Sequence, residues 1–513
     1  MSRTYNSLRN TKYALIGQIL GLLVSFFARI IFIRILGKEY LGINGLFTNI
    51  LTMLSLVELG IGPAIVFSLY KPLAENDTKK IKALMQLYKK SYIIIGIIIA
   101  ILGILITPFL DYLIKDKPDV SNLNLIFLMF VANTSISYFF AYKRNLIIAD
   151  QHRYIATIYR YGFFVVLNVF QIIFLYLTKN YFVFLFIQIA NTFLENVAVS
   201  KHADKMYPYL KEKSQEKLDS ETVDQIKKNT AAMVLHKIGT IVVSSTDNII
   251  ISAKVGITWV GLYSNYYLII NALNTIITQF FTAITASIGN LGVTESKEKS
   301  EYIFECINFI GFWIYGFCTI ALYQLFNPFI EIWLGKDLLM SMDVIAILAF
   351  NFFITGMRKS VLTFRDAFGL FWYDRYKPIF ESVINLVVSL ILAKPLGITG
   401  VFIGTAVSTL TTCLWVEPYV LYKYGFDTCS ISYFLRYIYY TFIMIIAAIP
   451  TNLLCNLLPG SGLTAFILKL FICLIIPNII FLLVFYKTKE YKYLFSMVKN
   501  YILRNNKIST TQN

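Results

Sequence analysis

Long apolar runs recur along almost the whole chain, and each approaches the roughly 20 residues that a helix needs to cross a bilayer. Fourteen such segments can be laid out, at about 13–36, 43–70, 91–114, 123–142, 154–177, 181–200, 229–252, 260–290, 303–326, 341–364, 378–395, 400–422, 433–457 and 462–486. The expected fold is an all-α integral membrane protein with about 14 transmembrane helices. Charged residues make up only 15% of the chain, against about 25% in soluble domains, which excludes an ordinary cytosolic enzyme. Arg29 interrupts the first run and no small-residue cleavage site follows, so this run reads as an uncleaved span.

Lysine and arginine set the orientation. With the N-terminus inside, the inner connections hold 34 of the 46 basic residues and the outer ones seven. Arg29, Arg34, Arg160, Lys237 and Lys469 fall within spans. One missed helix would scramble this alternation, so both termini are expected in the cytoplasm. The net charge of +17 then reflects membrane topology and not nucleic-acid affinity. The longest hydrophilic piece, 201–228, reads as a cytoplasmic connector. It separates an N-terminal six-helix lobe at 1–200 from a C-terminal one at 229–424, followed by a helix pair at 425–486 and a basic cytoplasmic tail at 487–513.

The connection after the first segment reads Gly37-Lys-Glu-Tyr40-Leu-Gly42, and that after the seventh reads Gly256-Ile-Thr-Trp259-Val-Gly261. Both are G-x-x-aromatic-x-G, offset by 219 residues, and the offset also carries Thr52 onto Asn271 and Ser55 onto Asn274. Six spans separate the copies, so both enter from the same side, as in parallel halves related by an axis along the membrane normal. Two pseudo-symmetric six-helix lobes plus a C-terminal helix pair are therefore expected, with a site between the halves.

Polar residues line up on four of these segments. Gln18, Ser25 and Arg29 share a face of the first, and Thr48, Thr52 and Ser55 follow one another in the second. Lys237, Thr240, Ser244 and Asp247 share a face of the seventh; Ser264, Asn271, Thr275, Thr278, Thr282 and Thr285 share one of the eighth. Such stripes serve either as helix-packing glue or as the wall of a watery cavity. Four on equivalent helices, two with cations, favour the cavity. A cation at the bilayer centre costs about 2.5–3.5 kcal/mol on insertion scales. Arg29 and Lys237 accordingly read as successive phosphate contacts for an anionic ligand, Arg as a bidentate fork and Lys as a mobile point charge. Asp247 fits a gate-closing ion pair with Arg29 or an ion-coupling role. Glu58, ahead of Gly60-Ile-Gly62-Pro63, reads equally as a protonatable coupling site or an acid satisfied by its neighbours. Glu195, Glu381 and Glu417 pose the same question, and His236 reads as a packed histidine.

The chain has no G-x-x-x-x-G-K-[ST] motif, hence no built-in P-loop ATPase. Neither a loop Asp-x-Asp pair nor a Ser/His/Asp or Cys/His set can be assembled, and the six cysteines lack metal-ligand spacing. An enzyme, a metal site and a cofactor are not expected; a coupling ion, proton or sodium, is left open.

The order Arg29…Arg34-Ile-Leu-Gly37-Lys-Glu-Tyr40-Leu-Gly42, Leu59-Gly60-Ile-Gly62, Asp247-Asn248…Gly256…Gly261-Leu-Tyr263 and Leu396-Gly397-Ile-Thr-Gly400-Val resembles one family. These are the polysaccharide-repeat-unit flippases of the multidrug/oligosaccharidyl-lipid/polysaccharide exporter superfamily. The resemblance implies two six-helix lobes around a central cationic cavity, in a bacterial cytoplasmic membrane, with the last two spans appended. It also implies alternating-access export of undecaprenyl-pyrophosphate-linked oligosaccharides to a separate polymerase that builds capsule, exopolysaccharide or O-antigen. Membrane lipids and that polymerase are the implied partners. Lipid II flippases share the plan, and an ion-coupled small-molecule exporter is the first alternative. A membrane glycan polymerase is a more distant one.

Overall fold

The computed structural model describes residues 3–58, 60–115, 118, 120, 122–212, 218–220, 222–224, 226–227, 230, 245–458, 462–497 and 499. The regular elements among them are helical. They begin with α1 (Arg3–Leu36), α2 (Lys38–Leu54), α3 (Ile61–Glu75), α4 (Thr78–Ile106), α5 (Leu123–Ala149), α6 (Arg153–Thr178) and α7 (Tyr181–Met206). After a helical stretch at 245–250 come α8 (Ile257–Thr294), α9 (Lys297–Leu334), α10 (Met342–Ala367) and α11 (Lys377–Ser408). Then come α12 (Leu414–Val420), α13 (Ile431–Asn456) and α14 (Leu463–Phe485), followed by a helical stretch at 489–497.

Twelve stretches among the described residues are long and apolar enough to cross a membrane. The seventh expected segment, 229–252, lies mostly outside the described residues. One stretch, Lys377–Phe426, is 50 residues long and holds two of the expected crossings. Gly397 divides it, with φ 59° and ψ −137°, a backbone region open essentially to glycine. Beyond Gly397 the chain doubles back on itself. Asn385 Nδ2 donates to Thr405 Oγ1 (3.1 Å), Ser389 Oγ donates to the Val401 carbonyl (3.0 Å), and a Cβ on Gly400 would lie 2.1 Å from the Leu392 carbonyl oxygen. These pairs converge on Gly397, so the two arms are antiparallel. The fold is therefore the expected one of about 14 helices.

The second expected segment, 43–70, is not one continuous helix. A 3-10 turn at Ser55–Glu58 and the positive φ of Gly60 (79°) break it into α2 and α3. Hydropathy detects the crossing but not this break, which a single backbone angle makes.

The chain forms two compact units, Met1–Ser264 and Asn265–Asn513, the division falling inside α8. In the first, Ile81, Leu84, Tyr88 and Tyr92 of α4 pack with Leu69 of α3, Leu146 of α5 and Val199 of α7. A second cluster joins Leu46 and Phe47 of α2 to Phe127 and Phe130 of α5, Leu185 of α7 and Ile257 of α8. The second unit is held by aromatic packing. Phe312 of α9 stacks on Tyr440 of α13 at 4.4 Å and also meets Phe481 and Phe485 of α14. Hydrogen bonds from Trp313 to Asn478 (2.7 Å) and from Gln324 to Asn452 (3.0 Å) tie the last two helices to α9. Leu23 and Phe27 of α1, Ile94 and Ile101 of α4, and Leu435 and Ile438 of α13 are exposed. Such apolar faces suit hydrocarbon and not water.

Candidate functional site

The two G-x-x-aromatic-x-G copies meet. Gly37 (φ 91°) and Gly256 (φ 142°) each end one helix and start the next. Gly256 N–H reaches back to the Ile251 carbonyl (2.8 Å), closing a π-helical turn at Ile251–Val255. A Cβ on Gly42 would lie 2.2 Å from the Ile257 carbonyl oxygen, and a Cβ on Gly261 would lie 2.4 Å from that of Lys38. Lys38 and Ile257 are themselves related by the 219-residue offset, as are Gly42 and Gly261. The contact is therefore reciprocal: each copy presents its second glycine to the residue that follows the first glycine of the other. Because the opposing atoms are backbone, no side-chain rotation makes room, and glycine is required at both places.

Arg29 is tied to this seam. Its Nη1 donates to Ser264 Oγ (3.1 Å), and Ser264 Oγ donates to the Gly261 carbonyl (2.8 Å). The half-buried guanidinium is thus anchored two hydrogen bonds from the second glycine. Nearby backbone reinforces the junction. Lys115 N–H donates to the Ser252 carbonyl (3.0 Å), Lys115 Nζ to the Lys254 carbonyl (3.1 Å), and Ser252 Oγ to the Leu113 carbonyl (2.8 Å).

Glu58 closes a second network. Asn145 donates to the Tyr88 hydroxyl, Tyr88 to the Tyr92 hydroxyl (3.2 Å), and Tyr92 to Glu58 Oε1 (2.8 Å). Gly62 makes the space, since a Cβ there would lie 2.4 Å from the Tyr92 hydroxyl and 2.6 Å from Glu58 Oε1. The donors all point one way, and the carboxylate is the acceptor on which the chain ends. Hydrogen bonds to charged groups contribute about 1.5–3 kcal/mol, so Tyr92→Phe is expected to cost a similar amount. Thermal unfolding of the detergent-solubilised protein checks this; an unchanged transition would exclude the bond. Tyr88 and Tyr92, four apart on α4, escaped the sequence reading, which sought charges and hydroxyl stripes.

Glu195, Glu381 and Glu417, singled out from sequence alongside Glu58, sit in ion pairs. Glu195 meets Arg144 (2.6 Å). Glu417, with no exposed surface, receives a bidentate contact from Arg358, with Nε to Oε2 at 3.0 Å and Nη2 to Oε1 at 2.7 Å. Lys377 also contacts Glu417, and Arg358 reaches Glu381 (3.4 Å). Arg358 falls inside the expected segment 341–364, although the orientation count groups it with the inner connection, and α10 carries it.

The hydroxyls of the polar stripes bond back to their own helices, as serine and threonine do in helix interiors. Ser25 donates to Gly21 (2.8 Å), Thr52 to Thr48 (2.8 Å), Ser55 to Thr52 (2.6 Å), Thr275 to Asn271 (2.5 Å) and Thr282 to Thr278 (2.9 Å), each to a carbonyl. Gln18 is half-buried and Asn271 exposed. Asp247 is half-buried within the helical residues 245–250. Lys237 and Ser244 lie outside the described residues. Among the described residues, Arg29 is the predicted site residue brought to the glycine seam, through Ser264 of the eighth-segment stripe.

A family model described as polysaccharide biosynthesis protein matches residues 7–285. No curated protein matches the chain significantly. Among solved structures, the chain is similar to a lipid II flippase, MurJ, in an inward closed conformation, with TM-score 0.62 and 14% identity over 93% of this chain and 98% of that one. It is also similar to an inward-facing multidrug resistance transporter of the MATE family and MOP superfamily, with TM-score 0.61 and 17% identity over 78% and 94% of the two chains. A point mutant of the Vibrio cholerae MATE transporter VcmN gives TM-score 0.55 and 13% identity over 82% and 97%. At these identities the likeness is one of fold, that of a multi-pass membrane protein.

Proposed function

Because the chain belongs to the polysaccharide biosynthesis protein family, we propose that it is a flippase for lipid-linked oligosaccharide repeat units. It carries undecaprenyl-pyrophosphate-linked units from the cytoplasmic to the outer leaflet of a bacterial cytoplasmic membrane, for surface polysaccharide assembly. Both termini are cytoplasmic in this reading, because the basic residues then gather on the inner side. The mechanism is alternating access, with the headgroup passing while the polyprenyl tail stays in lipid. A polymerase consumes the product, and a proton or sodium ion is the candidate coupling ion.

The observation that carries this reading is Arg29, a cation deep in a membrane helix, tethered to a seam of reciprocal glycines. Its hydrogen bond to Ser264 holds the outer junction shut, and an arriving pyrophosphate competes for the same guanidinium with stronger, charge-assisted bonds. Lys237 is the second phosphate contact, while Asp247 and Glu58 are the gate or coupling acids. The polar residues Gln18, Ser25, Thr52, Ser55, Ser244, Asn271, Thr275, Thr278 and Thr282 line the path.

The test is headgroup accessibility in proteoliposomes loaded with a defined lipid-linked sugar. Loss of a charge-assisted contact of about 1.5–3 kcal/mol predicts that Arg29→Ala slows transport about ten- to a hundredfold while membrane abundance holds. Full-rate transport by the variant would refute the role of Arg29. The likeness to a lipid II flippase makes lipid II the second substrate to assay, and the MATE likeness makes small-molecule export the third. New glycosidic bonds formed by the purified protein would replace transport with polymerisation.

A further inference from the structure

The first unit contains a lysine-lined cavity of about 300 Å³ whose lining includes none of the residues assigned above to transport. Lys82, Met85, Gln86 and Lys89 of α4 form one wall, and Tyr142 and Lys143 of α5 another. Asp204 of α7 and the turn Leu210-Lys211-Glu212 complete it. Among the described residues the charges do not balance. Lys143 is held by both carboxylate oxygens of Asp204 (2.7 and 2.8 Å) and Lys82 by Glu212 (2.5 Å). Both carboxylates are thereby neutralised, and Lys89 and Lys211 add two further positive charges to the same cavity. Ion pairing fixes the first two ammonium groups; the other two belong to exposed residues at the rim.

The geometry points to a binding site for a phosphate ester on a lipid anchor. Lysine binds phosphate as a point charge, and two uncompensated cations match a phosphate monoester or a diphosphate diester. The volume lies at the lower end for ligand pockets, enough for a phosphate with a glycerol or single-sugar fragment. Tyr142, Met85 and Leu210 supply apolar surface for that fragment. The site lies where α4 begins and α7 ends, at the lysine-rich ends of the helices, and basic pockets between membrane helices are where lipid headgroup phosphates bind. This assignment rests on the flippase reading only for which side of the membrane the ligand approaches.

The test uses the full chain in phosphatidylcholine vesicles, open at both faces, and follows acetylation of Lys89 and Lys211 by mass spectrometry. Lys71, highly exposed on α3, serves as the reference. At a ligand concentration about ten times Kd the free, reactive form falls about tenfold, so saturating inorganic pyrophosphate is expected to slow both lysines by about that factor. Protection without pyrophosphate in vesicles containing phosphatidylglycerol identifies the bulk lipid as the source. Protection by polyprenyl diphosphate in phosphatidylcholine identifies the substrate. In Lys89→Gln, protection of Lys211 is expected to be lost. Unchanged reactivity relative to Lys71 under all three conditions, or full protection of Lys211 in that variant, would overturn the site. Protection that persists in a protein unable to move lipid-linked sugar would refute the proposed function and leave the site standing.

Discussion

Glu417→Ala is expected to destabilise the folded protein by about 3–5 kcal/mol, the usual cost of removing one partner from a buried ion pair. Glu417 has no exposed surface and holds both Arg358 and Lys377. Its removal leaves two buried cations sharing only Glu381. The companion variant Arg358→Met/Glu417→Ala is expected to regain most of the loss. It leaves Lys377 and Glu381, four residues apart on α11, where opposite charges can pair. Chemical or thermal unfolding in detergent measures both variants. A single variant as stable as the parent would mean that water reaches the cluster, and a double variant no better than the single would remove the charge-balance explanation.

Gly42→Val carries the second large effect. Its Cβ alone would lie 2.2 Å from the Ile257 carbonyl oxygen, and overpacking of this kind costs about 1–3 kcal/mol or more. The seam has to part to accept it. A disulfide reports the parting directly: a Cβ on Gly45 would lie 3.0 Å from Val260 Cγ1, which brings a Gly45→Cys/Val260→Cys pair near the roughly 3.5–4.5 Å Cβ separation of a disulfide. The pair is expected to cross-link in the parent, with native cysteines replaced by serine, and to lose cross-linking in the Gly42→Val background. Equal cross-linking in both backgrounds would show that the glycines do not set the approach. The reciprocal contact requires Gly261→Val to behave in the same way.

The membrane crossings were legible because a length of apolar chain is a direct physical demand of the bilayer. Their interruptions were not. The breaks at Gly60 and Gly397 depend on single positive φ values, and glycine in a hydrophobic run looks the same whether or not it turns the chain. The sequence offset of 219 revealed that Gly42 and Gly261 are equivalent, but only coordinates could show that they press on each other's neighbours. The partner of Arg358 is hidden for a related reason. A positive charge near the end of an apolar run reads as a membrane boundary, whereas its partner Glu417 lies 59 residues away and leaves no local trace. A hydroxyl bonded to its own helix has the same spacing along the sequence as one that lines a path.

The reciprocal seam bears on which substitutions such a chain can accept. In a two-fold dimer of half-length chains, one interface patch serves both partners, so any change at the shared glycine would strike twice. In a single chain the two copies are encoded separately, so each can differ from the other. Their aromatic residues do, as Tyr40 and Trp259. The second glycine does not, because each copy's backbone forbids the other to grow.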